Sequence, residues 1–279
     1  MRLLPALLAA TTFFSAPVSA QTLERIQETK HFNIGFRSDA APLSYLDSEG
    51  KPSGYSVMIC DQIAQALANK FNLQDMRATF VPVDTETRFE KVASGEIDLL
   101  CGAATITLGR REIVDFSSPT YVDGVAVLLP KASSSDLRDL AGKKIGFRSD
   151  TTTETAVLNS FEGAGIEADM NRFASHQDGV VALANGEIDA YFADQSILVP
   201  NYIAAGLTED FQVSSEILTL EKHGLALSRG DADFRLFVDT VLSEMYADGR
   251  MQQFFETALP GIQPGVALEA MFVISPTLP

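Results

Sequence analysis

IGFRSD stands at positions 34–39 and again at 145–150, and GEID stands at 95–98 and again at 186–189. Six residues repeated in order, each followed by a second repeated phrase, mark two copies of one structural unit. The spacings are 111 and 91 residues, so the copies differ in loop length. In each copy the apolar start of IGFRSD reads as a strand that ends at the arginine and passes into a polar loop. GEID reads as a helix stop followed by a buried strand, because glycine readily takes the left-handed position after a helix.

Working outward, helix and strand signals alternate. A strand is expected at 32–36, then a turn-containing connection at 43–55 with Gly50 and Pro52. Ser56 is placed to cap a helix whose apolar residues Cys60, Ile63, Ala64, Leu67 and Phe71 recur at helical spacing. A strand at 79–83, a helix at 85–94, a strand at 97–102 and a short helix from Thr107 to 114 complete the first series. The second series has a short helix at 137–140 stopped by Gly142, strands at 143–148, 168–173 and 188–193, and helices at 152–161, 178–185 and 195–205. After residue 217 the pattern predicts a strand pair, helices at 231–247 and 249–258, and a packed tail over 259–279. Such alternation predicts an α/β fold with mostly parallel sheets. Ligands of open α/β sheets bind beyond the carboxyl ends of the strands. If two such lobes face each other, Arg37 and Arg148 both enter one cleft.

The first twenty residues are expected to be a secretory signal peptide. Arg2 is the only charge, 3–14 is mostly apolar, and Val18, Ser19 and Ala20 give a small-residue cleavage site. The residue after the cut is Gln21 rather than cysteine, so the mature chain is expected to be free of lipid and soluble in the periplasm. The composition is globular, with 46% hydrophobic and 21% charged residues. A net charge of −16 argues against nucleic acid or anionic membrane as partner, since neutralising phosphates needs clustered Lys and Arg. In an oxidising compartment Cys60 and Cys101, both in the first half of the chain, are expected to pair. Two buried thiols are the alternative.

The stretches APLSYLDSEGKPSGYSV, SGEIDLLCGAATITLGRREIVDFSSP, GKKIGFRSDTTTE and NGEIDAYFADQ resemble the periplasmic solute-binding proteins of polar amino acid ABC transporters, the bacterial extracellular family 3. The likeness runs from Phe32 to about Phe255 and is nearest to the glutamate/aspartate-binding branch, which shares Arg at position 37 and His at position 176. It implies a two-lobed periplasmic binding protein fold of type II, with the ligand in the cleft. The implied divisions are lobe 1 at 21–121 plus 225–279, lobe 2 at 126–219, and hinge crossings near 121–125 and 220–224. The implied partners are a small amino acid ligand and an inner-membrane ABC permease, with the protein acting as a monomer without a cofactor.

The family's TITxxR pattern, here 105–110, implies that Thr105 and Arg110 hold the ligand's α-carboxylate. Thr151 and Thr152, in the place of the family's second-lobe turn, complete that site. Asp194 is the implied acceptor of the α-amino group, and Tyr55 the implied aromatic against the ligand's carbon chain. Three positions depart from the pattern. Ala103 replaces a hydroxyl residue and leaves its backbone to contribute, Asp150 replaces a glycine, and Ala40 replaces an aromatic.

The physical chemistry of the residues points the same way. A carboxylate suits a bidentate guanidinium and free N–H groups at a helix start, and an ammonium suits an ionised acceptor. Helix-surface placement of Arg110 and capping by Asp194 are the competing readings. Arg37, Arg148 and His176 at the distal end would favour a second carboxylate, hence glutamate, aspartate or another dicarboxylate. Against this, Arg148 could instead pair with Asp150 or Asp39, and His176 could cap a helix. An enzyme on the same fold, of dehydratase type, is the main reading from another class, as is binding of another polar amino acid. No G-x-S-x-G or H-E-x-x-H motif occurs, and His31, His176 and His223 lack metal-ligand spacing. Neither catalysis nor a metal is expected.

Overall fold

The computed structural model describes residues 22–277, so the expected signal peptide lies outside the described residues. The described chain opens with α1 (Thr22–Thr29) and β1 (His31–Arg37), which carries the first IGFR. A small antiparallel sheet follows, β2 (Asp39–Ala40), β3 (Ser44–Leu46) and β4 (Pro52–Ser53), where the sequence predicted only a connection. The next helix, α2 (Tyr55–Lys70), is capped by Gly54 and not by Ser56, which is buried inside it. Gly54 has φ +118°, and a Cβ there would lie 2.7 Å from the backbone of Pro42 and Leu43. Only glycine fits a turn so close to its neighbour.

After β5 (Arg77–Val83) comes α3 (Arg88–Ala93), shorter than the sequence pattern predicts. The Asp84 carboxylate accepts from the amides of Glu86 and Thr87 and holds the preceding residues in a turn. Next come β6 (Leu99–Cys101), the single turn α4 (Leu108–Arg111) and β7 (Val114–Asp123). Thr107 caps α4 as expected, its side chain accepting from the Arg110 amide. The second series consists of β8 (Val125–Pro130), a 3₁₀ turn at Leu137–Leu140, β9 (Lys144–Arg148), α5 (Thr152–Ala164) and β10 (Asp169–Phe173). It continues with α6 (His176–Ala184), β11 (Ala190–Asp194), α7 (Gln195–Ala204) and β12 (Phe211–Val213). β13 (Glu221–Ser228), α8 (Ala232–Ala247), α9 (Arg250–Ala258) and α10 (Val266–Ile274) close the described chain.

One expectation fails in the last quarter, and the expected packed tail proves to hold a helix. The residues after 217 supply one strand rather than a pair, because both partners of β13 are strands laid down earlier, β6 and β7. The tail also contains a helix, α10, whose Leu268 and Met271 join the first core. The flanking prolines and glycines hid its short pattern. Among the described residues no helix is long and apolar enough to cross a membrane.

The molecule has two five-stranded sheets, ordered β5-β1-β6-β13-β7 and β10-β9-β11-β8-β12. In each, an IGFR strand is the middle of a parallel triplet: β1 lies between β5 and β6, and β9 between β10 and β11. Antiparallel neighbours, β13 with β7 and β8 with β12, extend each triplet. The expected α/β class with mostly parallel sheets thus holds at the centre of both halves.

The repeated phrases are the two halves of one joint. Gly95 and Gly186 take φ +76° and +71° just after α3 and α6 and stop those helices. Gly35 faces Ile97, and Gly146 faces Ile188; a Cβ on either glycine would lie 2.3 or 2.5 Å from the isoleucine Cδ1. The final aspartate then clamps the strand. Asp98 accepts from the Asn33 amide at 2.8 Å, and Asp189 from the Lys144 amide at 2.8 Å, each one residue before the isoleucine of IGFRSD. Within the first half, Cys60 on α2 and Cys101 on β6 form the expected disulfide, with Cα atoms 6.3 Å apart.

The chain leaves the first sheet at Gly124, between β7 and β8, and returns between β12 and β13. The two passages run side by side: the Leu218 amide donates to the Val125 carbonyl at 2.6 Å, and Asp123 pairs with Glu221. A Cβ on Gly124 would lie 2.5 Å from the Thr219 carbonyl oxygen. The passages are therefore packed backbone to backbone.

Candidate functional site

The carboxyl ends of both triplets face each other. Between them Arg37, Arg88, Ala103, Thr105 and Arg110 from the first half meet Thr151, Thr152, Thr153, His176, Asp194 and Ile197 from the second. They enclose about 20 Å³, room for about one water. Direct contacts close the cleft. Thr105 Oγ1 lies 3.1 Å from Thr152 Oγ1, Arg88 Nη2 donates to the Asp150 carbonyl at 3.3 Å, and Arg148 Nη2 lies 3.1 Å from Asp39 Oδ2. A larger, mostly apolar cavity of about 770 Å³ lies between α7 and residues 255–268 and contains none of these arginines. Charge convergence, not volume, singles out the smaller one.

One end of the cleft is built on Arg110. Its Nη1 donates to the Thr105 carbonyl at 2.8 Å, and its guanidinium lies 4.9 Å from the centre of the Phe89 ring. The hydroxyls of Thr105 and Thr152 donate to the carboxylate of Glu221, at 2.6 and 2.8 Å. Thr151 is committed to its own helix, since its hydroxyl donates to the Arg148 carbonyl and accepts from the Glu154 amide. Ala103 offers backbone alone.

At the other end two guanidinium groups, those of Arg37 and Arg148, hold one carboxylate, Asp39. Arg37 Nε donates to Asp39 Oδ1 at 2.7 Å. Burial works to raise the Asp39 carboxyl, but Arg37 and Arg148 outweigh it and hold it below the usual range. Arg88 is 2% exposed and donates to the Thr85 carbonyl. Burial, and then the repulsion of Arg110, Arg37 and Arg148, pushes its guanidinium down. Arg88 Nε and Arg148 Nε and Nη1 are buried without a hydrogen-bond partner, whereas Arg37 Nη2 lies 2.7 Å from Asp39 Oδ1. Unpaired buried donors are costly, and here they belong to arginines in and beside one cavity.

The third feature is Asp194, at the end of β11 and 8% exposed. It receives a 3.4 Å hydrogen bond from Thr153 Oγ1 and faces His223 Nε2 at 3.5 Å. Burial, Asp123 and Glu221 push its carboxyl well above the ordinary range. Although Asp194 is the residue before α7, its side chain makes no capping bond. Asp123, Asp194 and His223 bring their donor atoms within 4.8 Å of one another.

The structure thus brings together Arg37, Ala103, Thr105, Arg110, Thr151, Thr152, His176 and Asp194. Tyr55 does not join them. Its ring is buried in the first core, edge-on to Tyr121, and its hydroxyl donates to the Thr120 carbonyl at 2.8 Å. Arg148 stands behind the cavity wall, paired with Asp39. His176 is the first residue of α6, capped by Ser175, and its Nδ1 is 3.1 Å from the Tyr191 hydroxyl. Burial, then Arg37, lowers its pKa to about 3, so it enters as a neutral hydrogen-bonding group and not as a cation. Asp39 was weighed only as a partner for Arg148, which it is; Arg88, Glu221 and His223 were missed. Arg88 looks like any surface charge on a short helix, and no spacing ties 221–223 to residues a hundred positions earlier.

The family model for bacterial extracellular solute-binding proteins, family 3, matches residues 32–260. The L-glutamate/L-aspartate-binding protein of Pseudomonas aeruginosa is 30% identical over 289 residues, covering 100% of this chain and 95% of the relative. The L-cystine-binding protein of Escherichia coli is 25% identical over 237 residues, covering 84% of each. In fold, the chain is similar to an ABC uptake transporter substrate-binding protein from Streptococcus pneumoniae with bound histidine. The TM-score is 0.76 at 21% identity, covering 89% of this chain and 99% of that one.

Proposed function

This chain belongs to the bacterial extracellular solute-binding proteins, family 3, and from that premise we propose that it captures an acidic amino acid, glutamate or aspartate, for an ABC importer. Amino acid binding in ABC transport is the family-level role, and the relatives named above are binding proteins. The acidic choice rests on one observation: the buried guanidinium groups of Arg37 and Arg88 line the same small cavity as Arg110, and donors of Arg88 and, behind the wall, of Arg148 are left without a hydrogen-bond partner.

In this reading Arg110 takes the α-carboxylate, and the hydroxyls of Thr105 and Thr152 turn from Glu221 to join it. Asp194 takes the ammonium. The side-chain carboxylate meets Arg37 and Arg88, with Arg148 behind them and the neutral His176 beside them. A space of about 20 Å³ admits no amino acid, so the halves must part to load. Closure then re-forms contacts that need groups from both sides. The moving units are residues 21–121 with 225–279, and 126–219, hinged at the paired passages. The mature protein acts in the periplasm and hands its ligand to an inner-membrane permease.

Calorimetry of ligand-stripped protein against the twenty amino acids and several dicarboxylates tests the reading. A hydrogen bond to a charged group is worth about 1.5–3 kcal/mol. Glutamate or aspartate should therefore bind at least about tenfold more tightly than glutamine or asparagine. A preference for an amide or a basic amino acid would overturn it.

A further inference from the structure

His223 is a buried group that the binding scheme leaves unused. It lies on β13, beside the chain's passage between the sheets, and is 1% exposed. Its ring stacks on Tyr121, with centroids 6.0 Å apart and planes at 30°, and its backbone bridges to Thr105. Neither ring nitrogen has a hydrogen-bond partner. What Nε2 does face, at 3.5 Å, is Asp194, the carboxylate assigned to the ligand's ammonium.

The surrounding charges leave this pair to itself. Asp123, on β7, accepts from the Ser196 hydroxyl and the Gly124 amide. Glu221, two residues from His223 on β13, accepts from Thr105, Thr152 and Thr219. Arg110, from α4, is the cation that faces the group, and it already donates to the Thr105 carbonyl. Three carboxylates and one guanidinium in a buried space leave a deficit of positive charge around Asp194. A proton can supply it before an ammonium does.

We propose that Asp194 and His223 share one proton in the ligand-free protein and that the ligand's ammonium displaces it, so that capture releases a proton to solvent. The proposal rests on the reading of Asp194 as the ammonium acceptor. The balance is simple: the protonated pair and the ammonium give the complex, with an ionised Asp194 beside a neutral His223, and a free proton. Burial, together with Asp123 and Glu221, raises the Asp194 carboxyl. Burial lowers His223 against the opposing pull of Asp123 and Glu221. Both directions put the proton on the carboxyl, with the imidazole as its acceptor. His223 is thus a positioning residue for Asp194. Because the free protein holds a proton that the complex lacks, affinity must rise with pH up to the pair's midpoint and level off above it.

Two measurements test this. Calorimetry with L-glutamate, repeated in phosphate and Tris, counts the protons released. The expected count approaches one at pH values below the pair's midpoint, where affinity rises about tenfold per pH unit. Tight binding without proton release at any pH from 5 to 8 would overturn the proposal while leaving the acidic-ligand reading intact. The second measurement needs no ligand. In aspartate-carboxyl ¹³C NMR, one resonance should titrate well above the ordinary carboxylate range, vanish in Asp194→Asn and move to lower pH in His223→Leu. Absence of that resonance, or an unmoved midpoint in His223→Leu, would overturn it. If glutamate fails to bind at all, the acidic reading falls and the NMR result decides the proton.

Discussion

Arg37 and Arg148, the arginines of the repeated IGFRSD, grip the same carboxylate. Arg37 Nε is 2.7 Å from Asp39 Oδ1, and Arg148 Nη2 is 3.1 Å from Asp39 Oδ2. The repeated arginine keeps its job; the repeated aspartate does not. Asp39 bridges the halves, whereas Asp150 adopts φ +59° and offers its carbonyl to Arg88.

Selectivity should separate the arginines. Arg37→Ala and Arg88→Ala each remove a cation assigned in the proposal to the side-chain carboxylate, so glutamate affinity should fall about tenfold to a hundredfold and glutamine affinity much less. Arg110→Ala should weaken both ligands alike. Titration of the two ligands against the three variants checks this, and equal losses in the Arg37 variant would assign that arginine to the fold.

Closure should be visible in solution. The Thr105–Thr152, Arg88–Asp150 and Arg148–Asp39 contacts all join the two halves, so an open form lacks them. Saturating glutamate should lower the radius of gyration measured by small-angle scattering. A binding-competent protein of constant radius would contradict the hinge.

The disulfide closes a separation of 41 residues between Cys60 and Cys101. Replacing both cysteines by serine should lower unfolding stability by about 2–4 kcal/mol, read from the urea midpoint at unchanged slope. Intact mass without reductant should show the wild-type protein two hydrogens lighter than its reduced form.

Gly35→Ala should cost about 1–3 kcal/mol, because the new Cβ would overlap Ile97 Cδ1. Ile97→Val removes that one methyl group. In a double-mutant cycle the pair should therefore cost less than the sum of the singles. Strict additivity would show that the two residues do not share the space.

What could be read in advance follows from local repetition. IGFRSD and GEID spell a strand and a helix stop, and their duplication pointed Arg37 and Arg148 toward a shared cleft, which Arg37 lines while Arg148 stands behind its wall. The lock between them, Gly35 against Ile97 and Asp98 on the Asn33 amide, joins residues some sixty positions apart and leaves no local pattern. Arg88 escaped for a different reason. Only the turn built on Asp84 decides that it, rather than Glu86 or Glu90, starts α3 facing inward. Tyr55 was assigned to the ligand by likeness, but its place in the helix start aims the ring into the core beside Tyr121. Glu221 and His223 reach the cleft solely because β13 pairs with strands made a hundred residues earlier.

That pairing gives the two sheets different histories. Every strand of the second sheet lies between residues 125 and 213, so it can be completed as soon as that stretch has emerged. In the first sheet β13 sits between β6 and β7, and an N-terminus-first chain must wait for residue 228 before the gap is filled. The half that begins the protein is thus the last to finish, and β7 stays a loose edge until then. The Cys60–Cys101 bond lies wholly within the early-arriving residues and can tie α2 to β6 during the wait.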